Sequence, residues 1–404
     1  MKKIANMLLL LILVEMFVFG TGRLISFGSI SLRHILFFTS IFFYLIFYLI
    51  YVLKRKKIIV EFIIVFYLIL LLLNYFYEML QGINLMSSIS QSSHSFYIIY
   101  LLTLPALFNI AEKNINYFYK ILINSSAIVS VFCILVFVII KIDLHSSSFL
   151  KTLFYKYSTN DFGFRANGSF FYTGLFYCFI ALIILSVKLF KDGLRYKEKI
   201  IYLLNLVAII QSSTRGFIYI FFLIIVILLI TNFKINYRNI SIIPIIVIIV
   251  FVTIAFCFDN INVFFHEYIL REGITSDSGF QKRINIIRDL DINELNIFFG
   301  QGFNKYIVYN NRIVNHFEIS YIEIIVKQGL IGLFFWLYVY SSTIIRLLVN
   351  HFKNINADYI GLGIAISLIS IMILSLTNPY LTVSMGLFVL AIAKSYLQVG
   401  TNHE

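Results

Sequence analysis

The amino-acid sequence predicts an all-α, polytopic integral membrane protein, and three observations carry that prediction. Apolar residues make up 60% of the 404 residues and charged residues only 13%, and the mean hydropathy is +0.92. Apolar runs of about 20 residues, enough to cross a hydrocarbon core roughly 30 Å thick, recur along the chain. The longest polar interruption falls between residues 258 and 319. This composition leaves little room for a soluble fold.

About twelve membrane-spanning helices are expected within a single membrane domain that covers residues 1–404. The apolar run after Lys2 and Lys3 is interpreted as an uncleaved first helix rather than a signal peptide, because so many spans follow it. The spans are expected at about 4–19, 34–53, 58–77, 96–111, 121–140, 169–190, 200–212, 217–232, 240–257, 320–342, 359–376 and 383–398.

The distribution of lysine and arginine predicts that both termini are cytoplasmic. Basic residues concentrate in alternate short loops, such as 54–57 and 191–199, whereas Glu78–Ser95 has none; short cytoplasmic loops carry this excess in membrane proteins. Arg23 and Arg33, in the first outer loop, count against the assignment. Two longer outer loops, 141–168 and 258–319, are also basic. Long loops escape the charge rule, so these two are the candidate active face.

Two other classes of function are disfavoured by composition. The cysteines Cys133, Cys178 and Cys257 lie in or beside apolar runs and are interpreted as small buried side chains rather than disulfides or metal ligands. The net charge of +13 is scattered over many short loops on both sides of the expected membrane. A nucleic-acid partner would require a continuous basic surface, and none is expected.

Arg215 is the first candidate site residue. It ends the polar interruption 211–215 within the apolar run 200–220, and no acid lies three or four residues away to neutralise it. A guanidinium near membrane depth must face protein or water. Its planar donor fork suits phosphate oxygens, so a pyrophosphate-binding role is predicted, with an interfacial anchor as the alternative.

The large loop, between the ninth and tenth expected helices, offers further cations. Arg283 has no acid at helical spacing, whereas Arg288 has Asp291 three residues on and is expected mainly in a surface ion pair. We therefore predict that Arg283 binds the pyrophosphate and that Arg288 has at most a supporting role. Asp289 and Asp291 could instead hold a divalent cation, but salt-bridged surface acids are the favoured interpretation.

The end of this loop contains a glycine pair and two candidate bases. Gly300 and Gly302 are expected to permit unusual backbone angles or the close approach of a ligand. His316 could take a proton from a sugar hydroxyl, because histidine titrates near neutrality. Glu318 is the alternative base; Glu323 is disfavoured because Lys327 is placed to pair with it at i+4.

The order of these features resembles the Wzy-type polysaccharide polymerase and O-antigen ligase superfamily. Ser213-Thr214-Arg215-Gly216, a large outer loop, Phe299-Gly300-Gln301-Gly302-Phe303, and His316 before a helix containing Gly329-Leu330-Ile331-Gly332 follow one another between about Ile200 and Leu347. The family often has His-Asn and then an aromatic-Leu pair, whereas Phe317 follows His316 here. Glu318-Ile319-Ser320-Tyr321 resembles the acid found before the helix in many polymerases, so both bases stay open.

The resemblance implies a metal-independent glycosyltransferase that needs no cofactor. Its substrate would be an oligosaccharide repeat unit on undecaprenyl pyrophosphate, polymerised into a capsule, exopolysaccharide or O-antigen outside the bacterial cytoplasmic membrane. Arg215 and Arg283 would bind the pyrophosphate, with His316 or Glu318 as base. Membrane lipids, a flippase and a chain-length regulator are the implied partners. A ligase of finished glycan is the alternative within enzymes, and a polysaccharide flippase or transporter is the alternative from another class.

Overall fold

The computed structural model describes residues 1–20, 25–27, 30–53, 62–142, 144–157, 161–164, 169–231, 285, 296–309, 312–314, 319–353 and 358–400. These residues are mostly helical, as the composition predicts. Their helices, numbered in chain order, are α1 (Lys2–Val18), α2 (Leu32–Leu53), α3 (Phe62–Leu80), α4 (Leu85–Ser92), α5 (Tyr100–Ala111), α6 (Ile115–Ile142), α7 (Leu144–Tyr157), α8 (Leu175–Lys191), α9 (Tyr196–Gln211), α10 (Arg215–Thr231), α11 (Ser320–Lys353), α12 (Tyr359–Leu374) and α13 (Ser384–Gly400). A 3₁₀ helix at Ser93–Ile99 joins α4 to α5.

Three short antiparallel hairpins lie in the connections between helices. They pair β1 (Ser26–Phe27) with β2 (Ile30–Ser31), β3 (Phe162–Phe164) with β4 (Phe170–Tyr172), and β5 (Ile307–Tyr309) with β6 (Arg312–Val314). Helix α7 and strand β3 lie in the region predicted as the smaller outer loop, 141–168, whereas β4 occupies the start of the span expected at 169–190, so that α8 begins only at Leu175. Phe154 of α7 stacks on Phe162 with ring centroids 4.6 Å apart, so this region has an aromatic core of its own.

Five of the described helical segments are long and apolar enough to cross a membrane: 32–50, 62–80, 85–111, 115–142 and 320–353. They overlap five of the expected spans. The helices over 215–230 and 359–374 are apolar but shorter. The chain is therefore an integral membrane protein. The total of twelve spans stays a prediction, since the expected spans 4–19, 169–190, 200–212 and 383–398 fall on helices of 16 or 17 residues and 240–257 lies outside the described residues.

Contacts between helix ends define two opposite faces of the bundle. On the first, which we call the lysine face, Lys2 pairs with Glu112 and Lys188 pairs with Glu198 at 2.6 Å. On the second, the loop face, the Tyr172 hydroxyl donates to the Val18 carbonyl at 2.6 Å. Each face collects alternate ends of successive helices, as the predicted antiparallel order requires; which face is cytoplasmic stays a prediction.

Arg33 is a buried structural residue rather than a loop charge. It lies in the first turn of α2 and is 1% exposed. Its Nε donates to both carboxylate oxygens of Glu15 at 3.1 Å, and its two terminal nitrogens donate to the Ser384 hydroxyl and the Gly20 carbonyl. The pair ties α1, α2 and α13 together at the loop face. Arg33 therefore does not weigh against the predicted topology as a free outer charge would.

Helix α8 lies at the centre of the bundle. Residues 175–189 are all buried, and the helix packs against α6, α9, α10 and α12. Helix α9 is further fixed by Asn205, whose side chain accepts from Ser130 at 2.6 Å and donates to Ser126 at 3.1 Å. This polar contact between α6 and α9 explains the one polar residue in an otherwise apolar run. It also fixes the helix that ends at the Arg215 break.

Candidate functional site

The predicted break before Arg215 is present between α9 and α10. Helix α9 ends at Gln211, and Ser213 has a positive φ of 52°. Ser212 closes the end of α9 through its hydroxyl, which donates to the Ile209 carbonyl at 2.7 Å. Arg215 is the first residue of α10 and is partly buried. An anion at this position would therefore be attracted by both the guanidinium charge and the positive end of the α10 dipole.

The break lies beside the point where the chain enters α11. Gly216 is close enough to Leu374, at the end of α12, that an added Cβ would lie 3.0 Å from a Leu374 methyl carbon. The next residue, Ser375, accepts from the amide of Ser320, the first residue of α11, at 3.1 Å. Stacking of Phe217 on Phe179 of α8, at 4.8 Å, fixes the first turn of α10. Arg215 and the start of α11 therefore share the loop face.

Four of the predicted site residues lie outside the described residues: Arg283, Arg288, His316 and Glu318. The same holds for the rival acids Asp289 and Asp291. Their roles stay predictions. In the sequence, Glu318 is two residues before Ser320, where α11 begins.

Helix α11 contains a break that the sequence analysis did not predict. Gly329 has φ 68° and ψ −171°, which no helix accommodates. In a regular helix the amides of Leu330 and Ile331 would donate to the carbonyls of Val326 and Lys327. The break leaves these four backbone groups in need of other partners.

The segment 296–304, which we call the glycine turn, supplies those partners. The amides of Gln301 and Gly302 donate to the Val326 and Lys327 carbonyls at 2.7 and 3.1 Å. In the other direction, the carbonyls of residues 297 and 298 accept from the amides of residues 330 and 331 at 2.8 and 3.3 Å. Buried backbone groups in folded proteins are nearly always hydrogen-bonded, and the turn supplies the missing partners here.

Gly300 and Gly302 have the positive φ values that the backbone interpretation requires, 78° and 89°. An added Cβ on Gly300 would lie 2.6 Å from the amide nitrogens of Gln328 and Gly329. On Gly302 it would lie 2.3 Å from a carboxylate oxygen of Glu78. The close approach that these glycines permit is therefore to the protein's own helices.

Glu78 fixes the glycine turn to α3, and the sequence analysis gave it no role. It is fully buried, and its Oε1 accepts from the Asn304 amide at 2.7 Å. The Asn304 side chain bonds to Ser88 of α4 at 2.8 Å. Since more than 200 residues separate these partners, only the isolated acid at the end of an apolar run could have drawn attention to Glu78.

A pocket of about 200 Å³ opens beside the glycine turn. Its walls come from the 3₁₀ helix region, the turn, the first half of α11 and the segment after α12, including Gln91, His94, Phe303, Glu323, Lys327 and Thr382. The predicted i,i+4 ion pair is confirmed: Lys327 Nζ lies 2.6 Å from Glu323 Oε1. Both members line the pocket, so it combines one neutralised charge pair with amide, imidazole and apolar surfaces.

Comparison with known protein families matches residues 200–337 to the Wzy_C model, described as O-antigen ligase. The matched segment begins in α9, includes Arg215 and the glycine turn, and ends after the break in α11. No curated protein and no solved structure matches the chain. Members of the matched family transfer glycans. The resemblance predicted from the motifs is thus confirmed over this third of the chain: residues 200–337 match the Wzy_C model, which is consistent with the Wzy and O-antigen ligase superfamily.

Proposed function

We propose that the protein polymerises oligosaccharide repeat units carried on undecaprenyl pyrophosphate into a surface polysaccharide. The observation that carries the proposal is the convergence, on the loop face, of the Arg215 break and the start of α11. Both belong to the Wzy_C segment, and they flank the large loop in sequence. This arrangement supports a role for Arg215 as the cation for the leaving group, beside the helix that the candidate bases precede in sequence.

The proposed reaction is a displacement at the anomeric carbon of the donor sugar. The acceptor hydroxyl oxygen forms the new glycosidic bond, the bond between the anomeric carbon and the pyrophosphate oxygen breaks, and the pyrophosphate leaves with that electron pair. Arg215, with Arg283 as its predicted partner, offsets the negative charge that develops on the leaving oxygen. His316 or Glu318 takes the hydroxyl proton. Every step uses side chains of this chain.

The position of Arg215 supports this role more than it supports a lipid anchor. An anchoring arginine extends its head group into the interface from an exposed position, whereas Arg215 is partly buried beside the buried Ser212 and Ser213. At the first position of α10 it adds a planar donor fork to the positive end of the helix dipole. Pyrophosphate oxygens match both groups.

The proposed setting is the bacterial cytoplasmic membrane, with both termini cytoplasmic and the loop face outside. A flippase would deliver the lipid-linked unit to that face, and a chain-length regulator would act on the product. A ligase would use the same donor chemistry with a different acceptor, which is why the family match fits both reactions.

The test uses purified full-length protein in lipid nanodiscs with the lipid-linked repeat unit as the only glycan. A polymerase converts the unit into a ladder of lipid-linked oligomers, resolved by gel electrophoresis and mass spectrometry. A ligase leaves the unit unchanged until a second acceptor lipid is added. If neither incubation yields a new glycosidic bond, the proposed glycosyl transfer is wrong.

A further inference from the structure

The pocket beside the glycine turn has an unsatisfied polar group that points to a ligand. Within the described chain, the side-chain oxygen of Gln91 is buried and accepts no hydrogen bond, and Gln91 lines the pocket. Buried polar atoms in folded proteins are nearly always paired, so an orphan needs an explanation. Because Gln91 lines the pocket, a rotation of its side chain would present this oxygen to a donor group on a bound ligand.

The charge of the pocket favours a neutral ligand over a phosphate. Lys327 is only 4% exposed in its side chain and is bonded to Glu323, so its charge is already neutralised within the protein. A pyrophosphate there would meet the Glu323 carboxylate and lose energy to like-charge repulsion. Hydroxyl groups, in contrast, can donate to the carboxylate or to Gln91.

The shape and walls of the pocket match one sugar unit. Its volume of about 200 Å³ is below the roughly 300–1,000 Å³ of drug-sized sites, so it does not hold a whole repeat unit. Phe303, Ile324 and Pro379 give apolar surface for the C–H face of a sugar ring. The polar side chains on the remaining walls, Gln91, Glu323 and Gln328, suit its hydroxyl groups.

We propose that this pocket is a subsite for a sugar of the acceptor glycan. The assignment rests on the proposed glycosyl transfer, which requires an acceptor on the loop face beside the donor pyrophosphate. Gln91, His94 and the segment 379–383 lie outside the matched range 200–337, whereas Arg215 lies within it. Acceptor recognition would therefore use residues of the family segment, such as Glu323 and Gln328, together with residues that the family model does not cover, such as Gln91.

The only tryptophan of the chain gives a readout that is independent of activity. Trp336 is fully buried, and its indole nitrogen donates to Gln328 Oε1 at 3.2 Å. Gln328 lines the pocket, so a ligand that engages this amide changes the environment of the indole. The probe is the free oligosaccharide released from the lipid-linked repeat unit by mild acid.

Titration of the nanodisc-bound protein with this oligosaccharide is expected to give a saturable change in tryptophan fluorescence. Gln91→Ala should raise the half-saturation concentration about tenfold, which is the effect of losing one well-placed hydrogen bond in a buried site. The matched control is Gln81→Ala, at an exposed glutamine outside the pocket, which should bind like the parent. Thermal unfolding of each variant checks that the fold is retained.

Two further arms separate this inference from the proposed function. Arg215→Ala should bind the oligosaccharide normally, and inorganic pyrophosphate should not compete with it. Three results would overturn the acceptor subsite and leave the proposed transferase activity intact. The parent protein could polymerise the lipid-linked unit without a saturable fluorescence response, the Gln91→Ala variant could bind like the parent, or pyrophosphate could compete with the oligosaccharide. If the protein binds the oligosaccharide but forms no glycosidic bond, the pocket is a sugar site and the proposed glycosyl transfer is wrong.

Discussion

At the scale of single residues, the effect of Arg215 depends on the break that precedes it. The positive φ of Ser213 ends α9 and lets α10 start afresh, so the guanidinium lies at a helix N-terminus and not in the middle of a continuous helix. A mid-helix arginine would have its neighbouring amides bonded within the helix. At the first position, the positive end of the helix dipole and the side chain both favour the same anion.

We expect Arg215→Ala to lower the rate of polymer formation by on the order of 10²-fold or more, the usual cost of removing one preorganised donor to developing charge. Arg215→Lys should restore little, because an ammonium group lacks the planar fork. Arg346→Ala is the matched control, since Arg346 is exposed in the second half of α11, far along the helix from the pocket. The measurement is the initial rate in nanodiscs. If Arg215→Ala and Arg346→Ala lowered the rate equally, the effect would come from the loss of any positive charge and not from a specific role of Arg215.

Substitutions at the candidate bases separate the mechanisms that the sequence leaves open. If His316 takes the acceptor proton, His316→Ala should lose activity by on the order of 10²–10⁴-fold, while Glu318→Gln should cost less because it only alters the surroundings of the imidazole. Donor binding should persist in both. Assays with and without EDTA test the metal alternative, which predicts inhibition and intolerance of Asp→Asn at 289 and 291. Full activity of His316→Ala would transfer the role to Glu318.

Residues with a partner nearby in sequence could be predicted, and residues with distant partners could not. The Glu323–Lys327 pair follows from i,i+4 spacing alone, and the structure confirms it. The break before Arg215 is predicted by the four consecutive polar residues 211–214. Gln91 and Glu78 carry no such local signal, because what makes them notable is the approach of a turn from more than 200 positions away. Contacts between residues so far apart in the chain leave no pattern in the sequence from which they could be predicted.

At the scale of elements, the glycine turn and the broken helix α11 form one unit. The sequence predicts α11 as a single apolar span because hydrophobic periodicity continues across Gly329. The structure instead replaces two intrahelical bonds by four bonds to the turn. Each part needs the other: the turn lacks regular structure of its own, and the break would leave buried backbone groups unpaired at a cost of about 1–3 kcal/mol each.

We expect Gly329→Ala to destabilise the protein far more than Gly82→Ala. Both glycines have positive φ, 68° and 76°, so both variants bear backbone strain, and the ψ of −171° places Gly329 in a region that is essentially closed to other residues. Only at Gly329 would the new Cβ meet protein, 2.1 Å from the Phe298 carbonyl oxygen, whereas nothing lies within 4 Å at Gly82. The check is the thermal unfolding midpoint in detergent, where Gly329→Ala should unfold several degrees lower. Equal midpoints would show that the turn and helix are not interlocked.

At the scale of the whole molecule, composition and charge pattern are enough to predict the class of fold but not the contacts between its helices. Apolar runs predict helices wherever lipid or protein surrounds them, since a spanning segment must satisfy its backbone internally. The contacts that hold the helices together are another matter. The Arg33–Glu15 pair joins residues 18 positions apart across a hairpin, and from the sequence its arginine resembles a loop charge that weakens the topology. The structure shows that Arg33 is buried and paired with Glu15, so it is not a loop charge.

The orientation of the bundle is the last prediction. Lys197 follows the first residue of α9 on the lysine face, whereas Asn304, which closes the glycine turn, is bonded to the end of α3 on the loop face. The positive-inside rule places the lysine face in the cytoplasm. Reporter fusions at Lys57 and Lys197 should therefore report a cytoplasmic position, and a fusion at Asn293 an external one. Each site should be tested with two reporters, one active only in the cytoplasm and one active only outside, so that an inactive, unfolded fusion is not mistaken for a location. A cytoplasmic signal at Asn293 would put the loop face on the wrong side for a lipid-linked external glycan, and the transferase proposal would have to be abandoned with it.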